Sequence, residues 1–323
     1  MKLKKIVCFG GGSVVPKAVL TPFREYPAEI TSITSMTDDG GSTGALRREL
    51  GVPAPGDIRR HILAFSDAPA WKKNLWGMRF GSEEFEGGHK GHNFGNVFIA
   101  GLCQSLKSYD EVLKECCIFL EVGKKYQALP ATLGNITLCA ELENGQVIKG
   151  ESEIDVPKMH DADLKIKKLL LKPQAKVYKP AQLAIAKADA LVFGPGDLYS
   201  SLLPCFLPRG MKKAIADSSA KKILVTNVMN KHGETNGFGV SDFVREVEKY
   251  IGTKLDYVLY NKYIPDEESA RKAQEEDESI LAPVVFDGDP EEPKFVGVDY
   301  LLAGSVNNDP KKTGAAIWKL ING

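Results

Sequence analysis

The chain has 323 residues and a formal net charge of zero, because 42 lysines and arginines balance 42 aspartates and glutamates. Charged residues make up 26% and hydrophobic residues 43% of the sequence, which argues against intrinsic disorder and against a strongly basic nucleic-acid-binding domain. A chain of this size buries roughly three quarters of its surface on folding, enough for a substantial core.

The sequence predicts a cytoplasmic protein without a membrane span. The apolar stretch Ile6–Phe9 is too short for a signal peptide and is followed by glycines. The longest apolar candidate for a membrane helix, Leu198–Leu207, contains two serines and a proline and falls short of the roughly 18 residues required. The six cysteines form no CxxC pair, as expected of reduced thiols in a cytoplasmic protein.

Apolar runs typical of strands alternate with helical periodicity from one end of the chain to the other. In the first half, an Asn144-Gly145 pair predicts a hairpin between two further strands. The predicted strands are Leu3–Phe9, Glu29–Met36, Ile136–Leu142, Gln146–Glu151 and Leu169–Leu171. The predicted helices are Val14–Tyr26, Leu46–Leu50, Ile58–Phe65, Val97–Leu106 and Tyr109–Leu120.

The alternation becomes regular after Pro180, and it predicts an α/β fold with a mostly parallel sheet and helices on both faces. We expect a single domain over residues 1–323 with a small β-hairpin insertion near 143–155. Strands are predicted at Ala190–Phe193, Ile223–Asn227, Leu255–Tyr260 and Val284–Phe286. Helices are predicted at Ala181–Lys187, Leu198–Phe206, Met211–Asp217, Asp242–Ile251, Asp266–Glu276 and Thr313–Ile321.

The glycine content is the one unusual feature of the composition. Of the 31 glycines, 15 fall within the first 101 residues. Gly10, Gly11, Gly12 and Ser13 follow the first strand and precede a helix. Such a turn brings backbone N–H groups close to a phosphate at the start of a helix. The segment is neither a P-loop nor G-x-G-x-x-G, so it indicates phosphate binding or a simple tight turn.

A second cluster, Thr37–Gly44, follows the second strand and contains Asp38 and Asp39 beside Gly40, Gly41 and Ser42. Adjacent carboxylates repel each other unless a cation lies between them, and Mg²⁺ is commonly held by one or two carboxylates together with substrate phosphates. The alternative is an ordinary turn and helix cap. Arginines at 47, 48, 59 and 60 follow closely and suit phosphate recognition or surface ion pairs.

Two further segments have the same character. Asn93 and Asn96 lie at the start of a helix in Gly91–Asn96, where they cap the helix or contact a base or sugar. Gly194, Gly196 and Asp197 follow the strand Ala190–Phe193. Because the carboxyl ends of parallel strands share one edge of a sheet, we expect these segments to converge on one crevice that binds a phosphorylated ligand.

Taken together, these motifs resemble the gluconeogenesis factor family, which belongs with the 2-phospho-L-lactate transferases (CofD-like) of coenzyme F420 synthesis. The resemblance runs in order from about residue 6 to residue 260 and fades over 261–323. It is carried by Thr37-Asp-Asp-Gly-Gly-Ser-Thr-Gly44, Leu46-Arg-Arg-Glu49, Pro55-Gly-Asp-Ile-Arg59, Gly91-His-Asn-Phe-Gly-Asn96, Ala131-Thr-Leu, Asn144-Gly, Gly150-Glu-Ser, Gly194-Pro-Gly-Asp-Leu-Tyr-Ser-Ser201, Asn227-Val-Met-Asn and Gly233-Glu-Thr-Asn-Gly237.

The resemblance implies a Rossmann-like, doubly wound fold and two functions that stay open. One is a regulatory protein that binds a nucleotide sugar of the UDP-sugar type, linked to carbon metabolism and cell shape. The other is Mg²⁺-dependent transfer of a phosphate-linked group from a nucleotide-activated donor. No tightly bound organic cofactor and no nucleic acid are expected, and self-association is expected from the family. A dinucleotide-dependent oxidoreductase is disfavoured because G-x-G-x-x-G is missing.

The resemblance also implies roles for individual residues. Gly10–Ser13 would face the diphosphate, together with Gly40, Gly41 and Ser42 of the second loop. Asp38 and Asp39 would hold the metal and, in an enzyme, act in catalysis. Arg47 and Arg59 would be phosphate or structural contacts. The nucleotide pocket would be lined by Asn93, Asn96, Gly194, Gly196 and Asp197.

Three positions depart from the family pattern. Ser13-Val14 replaces Thr-Gly after the glycines, and Asn307-Asn308 replaces a basic residue and His before Asp309. Asp197 stands where similar proteins often have Ser. A carboxylate at this position would repel a diphosphate unless it binds a metal, ribose hydroxyls or an arginine.

Overall fold

The computed structural model describes residues 3–81, 84–85, 89–292 and 294–323. Its strands are β1 Lys4–Phe9, β2 Ala28–Thr34, β3 Glu84–Phe85, β4 His89–Lys90, β5 Tyr126–Pro130, β6 Thr137–Leu142, β7 Val147–Lys149, β8 Ile166–Lys172, β9 Ala190–Phe193, β10 Lys221–Val225, β11 Met229–Lys231, β12 Tyr257–Asn261, β13 Ile280–Pro283 and β14 Phe295–Val298.

The helices are α1 Thr21–Phe23, α2 Gly41–Leu50, α3 Pro55–Ala64, α4 Ala70–Gly77, α5 Phe94–Ser105, α6 Tyr109–Phe119, α7 Glu151–Asp155, α8 Lys179–Ala186, α9 Met211–Ala216, α10 Val240–Ile251, α11 Glu267–Glu276 and α12 Pro310–Asn322. A π-helical turn, Pro16–Leu20, leads into α1. A π-helical turn, Leu198–Leu202, and a 3₁₀ turn, Leu203–Phe206, follow β9.

In the described part of the chain, the largest sheet has seven strands in the order β14-β12-β10-β9-β1-β2-β5, and every neighbouring pair is parallel. The first strand, β1, pairs with β2 on one side and with β9 on the other, so the direction of winding reverses beside β1. The buried strands β1 and β9 are apolar, as expected of strands covered on both faces. The predicted doubly wound α/β fold is confirmed.

The helices pack in two groups. One contains α1, α3 and α12, where α3 contacts β2 and β5 and α12 contacts β12. The other contains α8, α9 and α10, where α9 contacts both of its neighbours. Right-handed connections that leave β1 in opposite directions place the two groups on opposite faces of the sheet.

The insertion is larger than the predicted hairpin near 143–155. β6 pairs with β7 around a turn at Gly145 (φ 86°), but β6 also pairs with β8, so the small antiparallel sheet has three described strands. The predicted second strand, Gln146–Glu151, ends at Lys149 because the short helix α7 begins at Glu151. The insertion therefore spans about Thr137–Lys172 and contributes a helix as well as strands.

Two parallel strands, β5 and β14, lie at the edges of the large sheet and were not predicted. The predicted strand Val284–Phe286 was wrong: the strand is β13, directly before it, and it pairs with β11, while Val285 forms only an isolated bridge to Gly239. One buried apolar cluster runs from Ile6 in β1 to Ile321 in α12. Among the described residues, none of the helices combines the length and apolar character needed to cross a bilayer.

Candidate functional site

A polar cleft of about 680 Å³ opens at the carboxyl ends of β1, β2 and β9, beside the point where the winding of the sheet reverses. Three of the predicted loops, those after β1, β2 and β9, line this cleft. The insertion forms its opposite wall. The described lining residues are Gly12, Asp38, Asp39, Gly40, Gly41, Arg48, Asp57, Arg60, Lys149, Gly150, Glu151, Ser152, Glu153, Asp155, Val156, Lys158, Asp197 and Ser201.

The glycine loop after β1 is fixed by Asp57 of α3. The Gly12 N–H donates to Asp57 Oδ1 at 3.0 Å, and Arg60 Nη1 binds the same oxygen at 2.5 Å. A Cβ atom on Gly11 would lie only 2.5 Å from Asp57 Oδ2, so the contact requires glycine at position 11. Ser13 is exposed and lies outside the set of described lining residues. Sequence reasoning quoted Asp57 within a motif but gave it no role.

Asp38 and Asp39 are adjacent in sequence, but their side chains form hydrogen bonds with different parts of the structure. Asp38 Oδ1 accepts the Gly40 N–H at 3.0 Å, and burial together with the charge of Asp57 raises the Asp38 pKa to about 6. Asp39 instead accepts hydrogen bonds from the first residues of α7: Ser152 N (2.9 Å), Ser152 Oγ (2.7 Å) and Glu151 N (3.1 Å). Asp39 thus attaches the insertion to the loop after β2.

Arg47 binds main-chain carbonyl groups. Its Nη1 donates to Thr37 O at 3.1 Å and to Asp38 O at 2.8 Å, and its Nη2 donates to Ile136 O. Arg47 therefore acts as a structural contact that holds the Asp38–Asp39 loop against the insertion. The neighbouring Arg48 reaches the cleft instead, because consecutive side chains on a helix point in directions about 100° apart.

The other predicted polar residues form a network in the interior. Arg59 Nε donates to Asn96 Oδ1 at 2.9 Å, and Asn96 Nδ2 donates to Ser42 Oγ at 3.3 Å. Asn93 caps α5 by accepting the Asn96 N–H at 3.2 Å, and its own N–H donates to Ser42 Oγ. Burial lowers the Arg59 pKa to about 10. The structure thus brings these four side chains together behind the cleft, where they join α2, α3 and α5.

The amino terminus of α2 opens into the cleft. Gly40 occupies the capping position, no described side chain caps the helix, and the space around the Cβ position of Gly41 is open to the described atoms. The first N–H groups of a helix lack intrahelical partners and attract anions. Arg48 and Arg60 line the same cleft. This part of the site can receive a phosphate group.

The loop after β9 is held in place by hydrogen bonds to other parts of the protein. Gly194 N–H donates to Phe9 O at 3.0 Å, and Gly196 N–H donates to Asn227 Oδ1 at 2.9 Å. The buried Glu234 carboxylate accepts hydrogen bonds from the first N–H groups of the following helical turn, those of Tyr199 (2.6 Å) and Ser200 (3.2 Å). Glu234 therefore already occupies the anion position at this turn, and burial raises its pKa to about 7.

Asp197 faces the cleft beside Lys231, a residue that sequence reasoning missed. Lys231 Nζ contacts Asp155 Oδ1 of α7, Asp197 Oδ2 at 3.2 Å and Glu234 Oε1 at 3.7 Å. These carboxylates raise the pKa of Lys231 above its ordinary value despite burial. The Gly233-Glu-Thr motif shortly after Lys231 was the signal in the sequence that could have drawn attention to this residue. The motif does not show that Lys231 pairs with Asp155 and Asp197.

Negative charge predominates in the cleft. The described lining residues include seven carboxylates (38, 39, 57, 151, 153, 155 and 197) and four cationic side chains (48, 60, 149 and 158). Burial, followed by the charges of Asp38 and Asp155, raises the Glu151 pKa to about 10. Across the described residues, no three His, Cys, Asp or Glu side chains are arranged to hold a metal by themselves. A bound cation would therefore need further ligands from substrate or water.

Comparison with known proteins agrees with this architecture. A family model described as 2-phospho-L-lactate transferase CofD matches residues 6–300. A gluconeogenesis factor of Halalkalibacterium halodurans is 37% identical over 284 residues, 87% of this chain and 85% of that protein. The gluconeogenesis factor of Bacillus subtilis is 33% identical over 299 residues, 92% and 89% of the two chains. A crystal structure of a Bacillus halodurans protein aligns with a TM-score of 0.87 and 32% identity, covering 98% of this chain and 100% of that one.

Proposed function

The chain belongs to the CofD family and groups there with the gluconeogenesis factors, and on this premise we propose that it is a cytoplasmic regulatory protein that binds a nucleotide sugar of the UDP-sugar type in the cleft. The regulatory role would be in carbon metabolism and cell shape, as the family resemblance implies. The observation that carries the proposal is the uncapped amino terminus of α2, which opens beside Arg48 and Arg60 at the reversal point of the sheet.

The end of the cleft at the start of α2 has a geometry that suits a diphosphate. The N–H groups at the start of α2, which no side chain caps in the described part of the chain, supply directional donors, and the two arginines supply charge. The other candidate anion positions are already filled within the protein, because Asp57 binds the Gly12 N–H and Glu234 binds Tyr199 N and Ser200 N. The start of α2 is therefore the position we assign to phosphate.

The cleft also suits Mg²⁺. A diphosphate would add negative charge to a cleft whose described lining residues include seven carboxyl groups and four cationic side chains, so binding without a cation is unfavourable. Burial and the charge of Asp57 raise the pKa of Asp38 to about 6, and a cation held by its hard oxygen atoms, the ligand type that Mg²⁺ prefers, would offset that repulsion. Glu151 is the second available carboxylate. When bound, Mg²⁺ would neutralise phosphate charge.

Thermal unfolding with a panel of UDP-N-acetylglucosamine, UDP, GDP and UMP, each with and without Mg²⁺, tests the proposal. A ligand at 100 times its Kd should raise the free energy of unfolding by about 2.7 kcal/mol. We expect this for UDP-N-acetylglucosamine with Mg²⁺ and a much smaller effect after EDTA. Asp38→Asn should remove the Mg²⁺ dependence, with Asp299→Asn as a distant control. No stabilisation by any diphosphate would overturn the proposal.

A second candidate is a transferase of the 2-phospho-L-lactate type. It is favoured by the family model, which describes such an enzyme, and by Asp38, a cleft carboxylate whose pKa is raised to about 6. A carboxylate with a raised pKa can accept the proton of an attacking alcohol. Mass spectrometry after incubation with a nucleotide-activated phospholactyl donor and a deazaflavin alcohol separates the two functions, because only a transferase forms a new phosphodiester.

A further inference from the structure

Lys231 pairs with the carboxylates on one side of the cleft. Its side chain is only 14% exposed, and it contacts carboxylates from three segments: Asp155 at the end of α7, Asp197 in the loop after β9, and Glu234 in the loop after β11. Glu234 in turn binds the backbone of the turn that follows Asp197. The ammonium group therefore fixes the orientation of Asp197 and joins the insertion to the large sheet.

Asp197 remains available to a ligand. Its side chain is 40% exposed and lines the cleft, while Oδ2 contacts Lys231 at 3.2 Å. A carboxylate paired with an ammonium group is a poor partner for Mg²⁺, because the cation would meet positive charge, and it repels a phosphate less than an unpaired carboxylate does. It still accepts hydrogen bonds from neutral donors, which makes hydroxyl groups its best partners.

The two sides of the cleft thus differ in charge. On the side of Asp38 and Glu151, the nearby Arg60 is paired with Asp57 at 2.5 Å, and no described ion pair includes Asp38 or Glu151, which favours a metal with phosphates. Around Asp155 and Asp197 the ammonium group of Lys231 pairs with both carboxylates and offsets part of their charge, which favours an uncharged, hydroxyl-bearing part of the ligand. A nucleotide sugar has both parts, so this difference orients it.

We propose that Asp197, held by Lys231, is a specificity-determining residue that accepts hydrogen bonds from sugar hydroxyl groups of the ligand, whose diphosphate lies at the start of α2. This assignment rests on the proposed function, because it deepens the description of the same cleft. Asp197 contacts the ligand, and Lys231 is a positioning residue. The sugar is either the ribose or the glycosyl group of the nucleotide sugar, which the choice of probes distinguishes.

The test is calorimetric titration of wild type and Asp197→Ala with UDP-N-acetylglucosamine, UDP and 2′,3′-dideoxy-UDP in the presence of Mg²⁺. Loss of hydrogen bonds to a charged acceptor should weaken binding by about ten- to a hundredfold. If the ribose is the partner, D197A weakens UDP and UDP-N-acetylglucosamine but leaves the dideoxy probe unchanged. If the glycosyl group is the partner, only UDP-N-acetylglucosamine weakens.

Asp299→Ala is the matched control, because Asp299 is also paired with a lysine, Lys312, at 2.9 Å and is similarly exposed at 41%, but lies outside the cleft. Equal effects of D197A on all three probes, or no effect on any, would overturn the assignment of Asp197. Failure of wild type to bind all three probes would instead overturn the proposed function itself.

The positioning role of Lys231 is tested by a separate set of variants. Lys231→Met should weaken binding of all three probes, because Asp155 and Asp197 then repel the diphosphate, and Lys231→Arg should retain binding. In the double variant K231M/D197A, removal of one uncompensated charge should restore part of the affinity for the dideoxy probe. A purely structural role for Lys231 predicts no such recovery. Circular dichroism of each variant verifies that the fold is retained.

Discussion

At the scale of single residues, His61 is a buried titratable group on α3, one turn beyond Asp57. It is fully buried, and neither ring nitrogen has a hydrogen-bond partner among the described residues. Burial lowers its pKa from 6.5 to about 4, an effect that the nearby Asp57 charge only partly opposes. The folded protein therefore holds His61 neutral in a range where the unfolded chain would protonate it.

This predicts a pH-dependent loss of stability. As the pH falls from about 6.5 to about 4, the unfolded state binds the His61 proton and the folded state does not, so the free energy of unfolding should drop by about 3 kcal/mol from this residue. His61→Leu should remove that component in urea titrations across this range. His232→Leu, at a half-exposed site, is the control. An unchanged pH dependence in H61L would contradict the prediction.

At the scale of an element, α7 depends on a residue distant in sequence. The helix has five residues, and its capping residue, Gly150, has φ 104° and no side chain to accept hydrogen bonds. Asp39 supplies the carboxylate that binds the first N–H groups of α7. Because α7 contributes Glu151, Ser152, Glu153 and Asp155 to the cleft, this cap also sets the shape of the site.

Asp39→Ala should therefore loosen the insertion. We expect a loss of about 1–3 kcal/mol in the free energy of unfolding, since a cap and its hydrogen bonds disappear, together with faster amide exchange at Glu151 and Ser152. Asp38→Asn is the matched comparison. It removes a neighbouring carboxylate that makes no described hydrogen bond to α7 and whose raised pKa shows that its charge is unfavourable, so stability should not fall. Unchanged exchange in D39A would refute the capping role.

At the scale of the whole molecule, the end of the chain packs against its beginning. α12 contacts the π-helical turn Pro16–Leu20, α1 and β12, and the ring of Trp318 stacks on Tyr26 with centroids 4.8 Å apart. Ile317 and Ile321 of α12 belong to the same buried cluster as β1. These contacts lead us to expect that residues 261–323 unfold together with the rest of the domain.

Ile317→Ala tests this expectation. Truncating a fully buried isoleucine should lower the free energy of unfolding by about 2–5 kcal/mol, and the loss should appear in the exchange of β1 and β9 amides as well as those of α12. Ile264→Ala, at a side chain that is 64% exposed, should change stability by about 0.5 kcal/mol or less. Faster exchange confined to residues after 261 would indicate a separate C-terminal unit.

The sequence by itself determined the class of fold and the position of the cleft. Buried apolar runs such as β1 and β9 have a local signature, and the glycine-rich segments after them must meet because parallel strands end at one edge. The edge strands β5 and β14 escaped prediction because they are short and are defined by pairing with a neighbour. Likewise, only pairing with β13 defines β11.

Only the tertiary structure decided what each polar side chain does. Nothing local distinguishes Asp38, which faces the cleft, from Asp39, which caps α7 more than 110 residues away in sequence. The same holds for Arg47 and Arg48, which leave α2 in different directions. Lys231 is the clearest case, because only the tertiary structure brings Asp155 and Asp197 within ion-pair distance of its charge. Electrostatic interactions depend on distance in space, and the order of residues along the chain does not specify that distance.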